Sequence, residues 1–304
     1  MPLQTTVIGS YPCEGECIEE KIRFAVKSQR QAGVRVISDG QPRTDMISYV
    51  AEAIGAFEKK SNGKWRLARK IDGGVSLETS SWKVEVSYFK GLCAAYGGEP
   101  AFMMAGPLTM AFAMEGDISG YGKAPYRNPE LYRDIAEAEL RLLGVDRIGA
   151  DSFAAFHIDE PFLSQSPGAL EYAKSAIEFL ALNVDTMVNL HVCGDVTKVF
   201  PKLLELKGID VLSHGFAGKA EKNNLGLLGD YKTPDYGKKI GFGCVDTASP
   251  KVEPVKGLRE LICYAMERQD CDIVVHPDCG LRNLPPGAAF AKLKNMCEAA
   301  GSFD

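Results

Sequence analysis

The chain has 304 residues, of which 45% are hydrophobic and 25% are charged, and its formal net charge at pH 7 is −5. This is the composition of an ordinary globular protein that can bury a large core. The acidic balance, without a stripe of basic residues, argues against a nucleic acid partner, and no stretch has the roughly 18 consecutive apolar residues that would indicate a membrane helix.

The N-terminus, MPLQTTVIGS, has no charged segment followed by a long apolar run, so it does not resemble a secretory signal. The nine cysteines are odd in number and scattered along the chain. This pattern favours a reducing compartment, where thiols act as ligands or nucleophiles and do not form a disulfide framework. We therefore expect a cytoplasmic protein.

Eight mostly apolar runs are predicted as strands, because parallel strands that are buried on both faces are nearly continuous in apolar residues. In chain order they are TTVIGS (5–10), VRVISDG (34–40), AFMMAG (101–106), FAAFHID (153–159), TMVNLHVCG (186–194), DVLSHGF (210–216), KIGFGCVD (239–246) and DIVVHPDCG (272–280). Six segments between them show the three- and four-residue apolar spacing of helices: 17–33, 129–145, 168–183, 196–208, 255–269 and 288–300.

Strands that alternate with helices over this length predict a (β/α)8 barrel (a TIM barrel) that forms a single catalytic domain over residues 1–304. An open doubly wound sheet is the alternative, although the first strand is not followed by the glycine-rich phosphate loop that often marks such folds. Residues 55–81 interrupt the alternation. They predict a β-hairpin inserted after the second strand, with Asp72-Gly73-Gly74 at its turn.

The only four histidines lie near the carboxyl ends of predicted strands: His157, His191, His214 and His276. In a barrel of this kind the active site is built from those strand ends and the loops that follow them. Each histidine could instead be a hydrogen-bonded structural residue. The placement of all four at strand ends favours a functional site.

His191 and Cys193 lie two residues apart where the fifth strand ends, so both side chains point to the same face. Cys279 follows the eighth strand. Zinc prefers cysteine sulfur and histidine nitrogen, and a catalytic zinc site leaves one position for substrate. The spacing of His191 and Cys193 is by itself a weak signal, since free cysteines are often buried as small apolar residues. The second cysteine strengthens it, and the three residues are predicted as zinc ligands.

A Cys₂His zinc site suits one type of reaction, in which a metal-bound substrate thiol is held as the nucleophilic thiolate at neutral pH. Asp159 and Glu160, at the end of the fourth strand, could hold a substrate amine or orient a ligand histidine. The alternative is that they form an acidic pair at a helix N-terminus before Pro161.

Seven short motifs resemble, in order, the catalytic C-terminal barrel of cobalamin-independent methionine synthase, in the superfamily that also contains uroporphyrinogen decarboxylase. They are TTVIGSYP, RTDM, AGPLTM, HIDEP, HVCG, GCVDTASPKVE and HPDCGL. The resemblance implies a catalytic zinc bound by the three predicted ligands, and methyl transfer to a small thiol. It places Ser10 and Asp159 against the amino-acid end of homocysteine.

The motifs also guide the remaining site predictions. Ile8 and Gly9 are predicted to bind substrate with Ser10, and Asp159 and His276 are predicted to be catalytic. The family has a glutamate as fourth zinc ligand near the end of the sixth strand, where this chain has His214 or Gly215. His214 is therefore predicted as the fourth ligand, with a water- or substrate-filled position as the alternative.

A second departure from the family concerns the substrate amine. After the second strand the family carries a glutamate that contacts this amine, and here Gln41 stands in its place. Gln41 is predicted to bind substrate, but a neutral hydrogen bond is roughly half as strong as a charge-assisted one. The change weakens the case for homocysteine and favours thiols without an amine.

The long members of the family carry an N-terminal half that helps to hold a polyglutamyl folate donor, and this sequence does not include one. The resemblance then implies methylcobalamin or a corrinoid protein as methyl donor. Because the sequence has no corrinoid-binding D-x-H-x-x-G motif, any cobalamin would arrive on a partner.

Three other functions stay open at this point. One is a thiol alkyltransferase acting on coenzyme M or another non-amino-acid thiol. Another is a decarboxylase with arginines around a polycarboxylate, for which Arg43 is the one obvious candidate near a strand end. The third is a metal-binding accessory protein of a corrinoid methyltransferase system.

Overall fold

The computed structural model describes residues 3–78, 80–116, 118–144, 153–219 and 222–303. In this part of the chain, eight parallel strands surrounded by helices form a nearly closed barrel, which confirms the predicted fold. No helix among the described residues is long and apolar enough to cross a membrane.

The barrel is made of strands that follow one another around its circumference, with the first strand next to the last. A parallel bridge between Thr6 and Val36 brings the first two strands together. The ten strands of the structure, of which β3 and β4 lie outside the barrel, are β1 (Gln4–Thr5), β2 (Val36–Ile37), β3 (Phe57–Lys59), β4 (Trp65–Leu67), β5 (Glu99–Ala105), β6 (Ala155–Asp159), β7 (Met187–His191), β8 (Val211–Gly215), β9 (Lys239–Val245) and β10 (Val274–Pro277).

The helices form the outer layer. They are α1 (Ile18–Gln31), α2 (Met46–Ala51), α3 (Ser80–Tyr96), α4 (Pro107–Phe112), α5 (Pro129–Leu143), α6 (Phe162–Gln165), α7 (Leu170–Leu182), α8 (Phe200–Leu203), α9 (Asn224–Asp230), α10 (Val255–Gln269) and α11 (Pro286–Ala300). Short 3₁₀ turns lie at Pro125–Arg127, Pro167–Ala169 and Thr233–Tyr236.

The helix predictions were correct in place but not always in length. The segment predicted as helix over 196–208 contains only the four residues of α8. Pro201 has no N–H to donate, so it cannot bond to the carbonyl four residues earlier and extend the helix toward Thr197. Helix α3 was not predicted, because its sequence mixes β-branched and aromatic residues with Gly91 and reads poorly as a helix.

The hairpin insertion after β2 is confirmed, but its predicted turn was wrong. Strands β3 and β4 pair antiparallel, Phe57 with Leu67 and Lys59 with Trp65. The turn therefore lies between Lys60 and Lys64, where Gly63 has a φ of +82° that favours glycine. Asp72-Gly73-Gly74 forms a separate turn beyond β4, where Gly74 N–H donates to the Asp72 carboxylate.

Lys292 ties α11 to the loop after β9. Its side chain is fully buried, and its ammonium donates to both carboxylate oxygens of Glu253, at 2.8 and 2.9 Å, and to the carbonyl of Asp246 at 2.9 Å. Each donated proton therefore has an acceptor. This buried pair holds the loop 246–254 against the barrel at its carboxyl-terminal end.

We expect Lys292→Met to lower the free energy of unfolding by about 3 kcal/mol, because it leaves the half-buried Glu253 carboxylate without its cation. Urea denaturation measures the change. Lys294, on the same helix, is exposed, so Lys294→Met is the matched control and should alter stability by less than about 0.5 kcal/mol. Equal effects of the two substitutions would contradict this role for Lys292.

Candidate active site

The register of the strands brings polar residues of β6, β7 and β8 to one level of the barrel interior. Asp159 lies opposite His191, and His191 lies opposite Ser213. Residues in register on parallel strands point to the same face. His191 and Ser213 are hydrogen-bonded at 3.2 Å, and Ser213 also bonds to His276 at 2.9 Å across the intervening strand β9. Side chains of non-adjacent strands meet in the barrel interior, so this shared face is the interior.

His191, Cys193 and Cys279 converge at the carboxyl-terminal end of the barrel, and we call them the ligand group. Their ligand atoms all lie within 4.8 Å of one another. His191 Nε2 is 2.9 Å from the Cys193 sulfur, which is 3.1 Å from the Cys279 sulfur. Neither cysteine is in a disulfide. Two sulfurs and one imidazole nitrogen at these separations are the donor atoms that a zinc ion prefers.

The loop that carries Cys193 is fixed by its neighbours. Gly194 has a φ of +83°, a conformation that glycine adopts without strain, and a Cβ at this position would lie 3.2 Å from the Ser164 hydroxyl. The Asn224 amide donates to the carbonyls of Gly194 and Gly215, each at 2.9 Å, and its oxygen accepts from Val196 N–H. Asn224 thus joins the loops that follow β7 and β8.

The loop that carries Cys279 is held on both sides. The preceding Asp278 accepts three backbone N–H donors from the loop after β8, at Phe216, Ala217 and Gly218. On the other side, Leu281 N–H donates to the carbonyl of Ser10 at 2.7 Å. These contacts place the second sulfur against the first, although the two cysteines are far apart in the sequence.

Contacts within the ligand group shift the pKa values of its members. A hydrogen bond with Cys193 lowers the pKa of Cys279 to about 4, against the opposing effect of burial, and His191 adds to the lowering. Burial alone lowers the pKa of His191, but the nearby Cys279 outweighs it and the pKa is raised. Cys279 is therefore a thiolate near neutral pH even without a metal ion, which is the form that binds metals.

His214 does not join the ligand group, so its prediction as fourth ligand is wrong in this structure. Side chains alternate along a strand, and since Ser213 points into the barrel, His214 points the other way. Its ring packs edge-on against Phe200, with centroids 5.5 Å apart, and its Nδ1 bonds to the carbonyl of Val192. Gly215, which shares the face of Ser213, offers no side chain there.

His276 also differs from its prediction as a catalytic residue. It is 1% exposed, and both ring nitrogens are engaged: Nδ1 with the carbonyl of Pro277 at 2.7 Å, and Nε2 with the Ser213 hydroxyl at 2.9 Å. Its ring lies edge-on to that of His191, with centroids 6.2 Å apart. His276 thus lies behind the ligand histidine and has no free nitrogen for substrate.

Asp159 is the buried residue with the most unsatisfied polar atoms near the ligand group. It is 1% exposed, and neither carboxylate oxygen has a hydrogen-bond partner among the described residues. Burial raises its pKa to about 7, with His191 opposing the shift and Cys279 adding to it. A buried carboxylate without a partner is costly, so it is expected to have a function.

The adjacent Glu160 has a structural role instead. Its carboxylate accepts from the backbone N–H groups of Leu108 and Thr109, at 2.9 and 2.7 Å, and from the Thr109 hydroxyl. It therefore satisfies the first turn of α4, which is a different helix from the one beside Pro161 that was considered for the Asp159–Glu160 pair. Glu160 is thus used by the fold, whereas the carboxylate of Asp159 is available to a ligand.

The predicted substrate-binding residues lie beside Cys279. A Cβ at Gly280 would be 2.9 Å from the Ser10 hydroxyl, and one at Gly9 would be 3.8 Å from the Gln41 side-chain oxygen. Gln41 has a φ of +48°, and its amide lies 3.4 Å from the carbonyl of Met103. Ile8 is 2% exposed. Gly9, Ser10 and Gln41 thus line one side of the same region, whereas contact with a substrate stays a prediction.

Several polar residues of the barrel interior were not predicted. Ser213 contacts both His191 and His276, and Asn189 lies 2.9 Å from the Nε2 atom of His157. Every residue of β8 is buried, so there is no alternation of buried and exposed residues that would distinguish the inward from the outward face. The signal that would have found Ser213 is its register with His191.

Comparison with known proteins identifies the family. The model of the cobalamin-independent synthase catalytic domain matches residues 14–70 and 157–302, a range that contains the whole ligand group and Asp159. The methionine synthase of Methanothermobacter thermautotrophicus is 35% identical, over 98% of this chain and 99% of that protein. This chain belongs to the cobalamin-independent methionine synthase family.

Other family members differ in length. The methionine synthase of Methanocaldococcus jannaschii is 31% identical over 97% of both chains. The 5-methyltetrahydropteroyltriglutamate–homocysteine methyltransferase of Burkholderia mallei is 27% identical over 98% of this chain, which spans 42% of that longer protein. As a member of the methionine synthase family the chain is a methyltransferase, and the prediction of an enzyme of this class is confirmed.

Solved structures of similar fold agree with the barrel. A B12-independent methionine synthase from Shewanella sp. W3-18-1, in complex with selenomethionine, has a TM-score of 0.78 at 18% identity and covers 99% of this chain. A methyltransferase from Methanosarcina mazei has a TM-score of 0.67 at 16% identity. The description of the matching family as cobalamin-independent gives no support to the predicted corrinoid donor.

The low pKa of Cys279 predicts an unusual pH profile in the metal-free methyltransferase. After removal of metal with a chelator, the rate of iodoacetamide alkylation at Cys279, followed by peptide mass spectrometry, should be nearly constant from pH 6 to 8, because the thiolate is already formed. In Cys193→Ser the largest cause of the low pKa is lost, and the rate should become pH-dependent. A rise of about tenfold per pH unit in the unsubstituted protein, as for an ordinary thiol with a pKa of about 8.5, would contradict this.

Proposed function

We propose that this protein is a zinc-dependent methyltransferase that methylates the thiol of homocysteine to give methionine. The observation that carries the proposal is the ligand group, two thiols and one imidazole within 4.8 Å, beside the unpartnered carboxylate of Asp159. Family membership supports a thiol acceptor. We also propose that the barrel acts as one catalytic domain over residues 1–304.

The ligand group fits zinc by its chemistry. Two cysteine sulfurs and one histidine nitrogen are three of the four ligands of a tetrahedral site, and His214 does not supply the fourth. Gly215 leaves space on the facing strand. Zinc bound there would hold an incoming thiol as its thiolate at neutral pH, and the two protein sulfurs would limit the positive charge so that the substrate sulfur stays nucleophilic.

The residues around the ligand group then position the rest of homocysteine. The Asp159 carboxylate accepts hydrogen bonds from the substrate ammonium, which gives its buried oxygens the partner they lack. The ammonium in turn favours the charged form of Asp159, against the effect of burial. Gly9 and Ser10 lie beside Gly280, which follows Cys279. Gln41 offers a neutral amide where a charged partner would bind the amine more tightly.

The reaction balances without any redox partner. The substrate sulfur uses an electron pair to form the bond to the methyl carbon, while the bond between that carbon and the donor breaks and its electron pair leaves with the donor. The proton released from the thiol goes to solvent or to the departing donor. The products are the thioether and the demethylated donor.

The methyl donor is the part of the proposal on which sequence and comparisons differ. The sequence resemblance implied methylcobalamin or a corrinoid protein, whereas the name of the Burkholderia mallei relative contains a methylated folate. A direct assay decides between them, with methylcobalamin, 5-methyltetrahydrofolate and its triglutamate form offered in parallel to the same zinc-loaded protein.

The proposed function is tested by zinc content and methyl transfer. We expect the purified protein to contain one zinc per chain and to convert homocysteine to methionine with at least one of these donors. Cys193→Ser and Cys279→Ser should lose both properties, whereas Cys263→Ser, which changes a cysteine on α10 whose thiol bonds to Glu267, should keep them. Full activity in the zinc-free protein would contradict the proposal. Methylation of coenzyme M with none of homocysteine would favour the alkyltransferase.

The role of Asp159 predicts a substrate-specific loss. Asp159→Asn should raise KM for homocysteine roughly 10- to 100-fold, because it removes a charged acceptor for the ammonium. KM for 4-mercaptobutanoate, which is homocysteine without its amine, should stay nearly unchanged. Steady-state kinetics with both thiols makes the comparison. If both values of KM rise equally, the carboxylate has a general structural role and does not recognise the amine.

A further inference from the structure

We propose that Ser213 and His276 are positioning residues that fix the tautomer of His191, so that its Nε2 atom is the one available to a metal ion. The three residues form a hydrogen-bonded chain from the carbonyl of Pro277 to the ligand group, which we call the His276–Ser213–His191 chain. The inference deepens the proposed function, since it concerns how the same zinc site is prepared.

The first step of the chain is set by a carbonyl. His276 Nδ1 lies 2.7 Å from the carbonyl oxygen of its neighbour Pro277. A carbonyl oxygen can only accept a hydrogen bond, so the Nδ1 atom must carry a proton. In neutral imidazole the other nitrogen is then an acceptor. His276 is fully buried, and its ring nitrogens bond to a carbonyl and a hydroxyl and not to a carboxylate, so the ring is neutral.

The second step shows which atom donates in the hydrogen bond between Ser213 and the ligand histidine, His191. His276 Nε2 accepts from the Ser213 hydroxyl at 2.9 Å, which uses the one proton that the hydroxyl has. Toward His191, the same oxygen can therefore only accept. His191 Nδ1, 3.2 Å away, must then be the donor and carry its proton.

The third step leaves the other nitrogen of His191 for the ligand group. With its proton fixed on Nδ1, neutral His191 has its lone pair on Nε2, which lies 2.9 Å from the Cys193 sulfur. This is the arrangement found around metal-bound histidines, whose second ring N–H donates to an oxygen that orients the ring. Here that oxygen belongs to a serine, which is in turn oriented by a second histidine.

The residues around the His276–Ser213–His191 chain bury it and leave room for it. Ser213 and His214 are fully buried, as are the rings of His191 and His276. A Cβ at Gly241, on the neighbouring strand β9, would lie 2.8 Å from His276 Nε2 and 2.9 Å from the Cα of Ser213. Only glycine gives the imidazole and the hydroxyl room to meet. Ser48, on α2, is another buried serine whose hydroxyl bonds to two side chains, those of Asp45 and Trp65, and it lies outside the ligand group, so it serves as the control.

The test measures zinc affinity and does not depend on turnover. Ser213→Ala removes the hydroxyl and should weaken zinc binding, measured by competition with a chelator, by about 10- to 100-fold. His276→Phe should weaken zinc binding less, because the Ser213 hydroxyl stays in place and loses only the acceptor that orients its proton. His276→Gln keeps an acceptor for the hydroxyl and should restore part of the loss. The matched control Ser48→Ala also removes a buried hydroxyl that bonds to two side chains, and it should leave zinc affinity unchanged.

A spectroscopic readout separates positioning from packing. In zinc-loaded protein labelled with ¹⁵N, His191 should show a protonated Nδ1 and a metal-bound Nε2, and His276 a protonated Nδ1. If Ser213→Ala is folded by urea denaturation and binds zinc as tightly as the unsubstituted protein, the inference is wrong although the proposed function stands. If the unsubstituted protein binds no zinc, both fail. If His276→Phe does not fold, the zinc affinities of Ser213→Ala and His276→Gln still test the inference.

Discussion

The site depends on one constraint: two sulfurs and one imidazole nitrogen from opposite ends of the second half of the chain must meet at a single point. Cys193 and Cys279 are separated by 86 positions, yet their sulfurs lie 3.1 Å apart. Without a metal ion, two thiolates this close would repel, and the group is stabilised with one thiolate, on Cys279, that accepts hydrogen bonds from Cys193 and His191. Their approach is stabilised when they share a cation, and the barrel supplies the frame that keeps them together.

The barrel does this through its strand ends. His191 ends strand β7, and the two cysteines lie in the loops that follow β7 and β10. Asp278 accepts hydrogen bonds from backbone N–H groups after β8, and Asn224 donates to one backbone carbonyl after β7 and to one at the end of β8. The barrel interior, usually filled with branched apolar residues, holds here a polar layer around His191. Such a layer is costly to bury, and each satisfied hydrogen bond in it makes the geometry of the site more specific. Among the described residues of this layer, the exceptions are the carboxylate oxygens of Asp159, together with His157 Nδ1 and Asn189 Oδ1, and the proposed function assigns the oxygens of Asp159 to the substrate.

The fold and the ligand group could be predicted because they depend on local signals. Apolar runs alternating with amphipathic segments predicted the eight strands, and the positions of His191, Cys193 and Cys279 at strand ends predicted the three residues that the structure brings together. The fourth ligand and the role of His276 could not be predicted in the same way. Parallel strands buried on both faces carry no alternation of polar and apolar residues, so the sequence of β8 did not reveal that Ser213, and not His214, faces the ligand group. That choice is made by register between strands, which is a tertiary property.

The central claim, that the ligand group holds a zinc ion with one place left for the substrate sulfur, is tested most directly by X-ray absorption at the zinc edge. The account predicts two sulfur neighbours at about 2.3 Å and at least one nitrogen in the protein alone, and a third sulfur when homocysteine is added. A zinc environment without sulfur, or one with two sulfurs that no thiol changes, would contradict it.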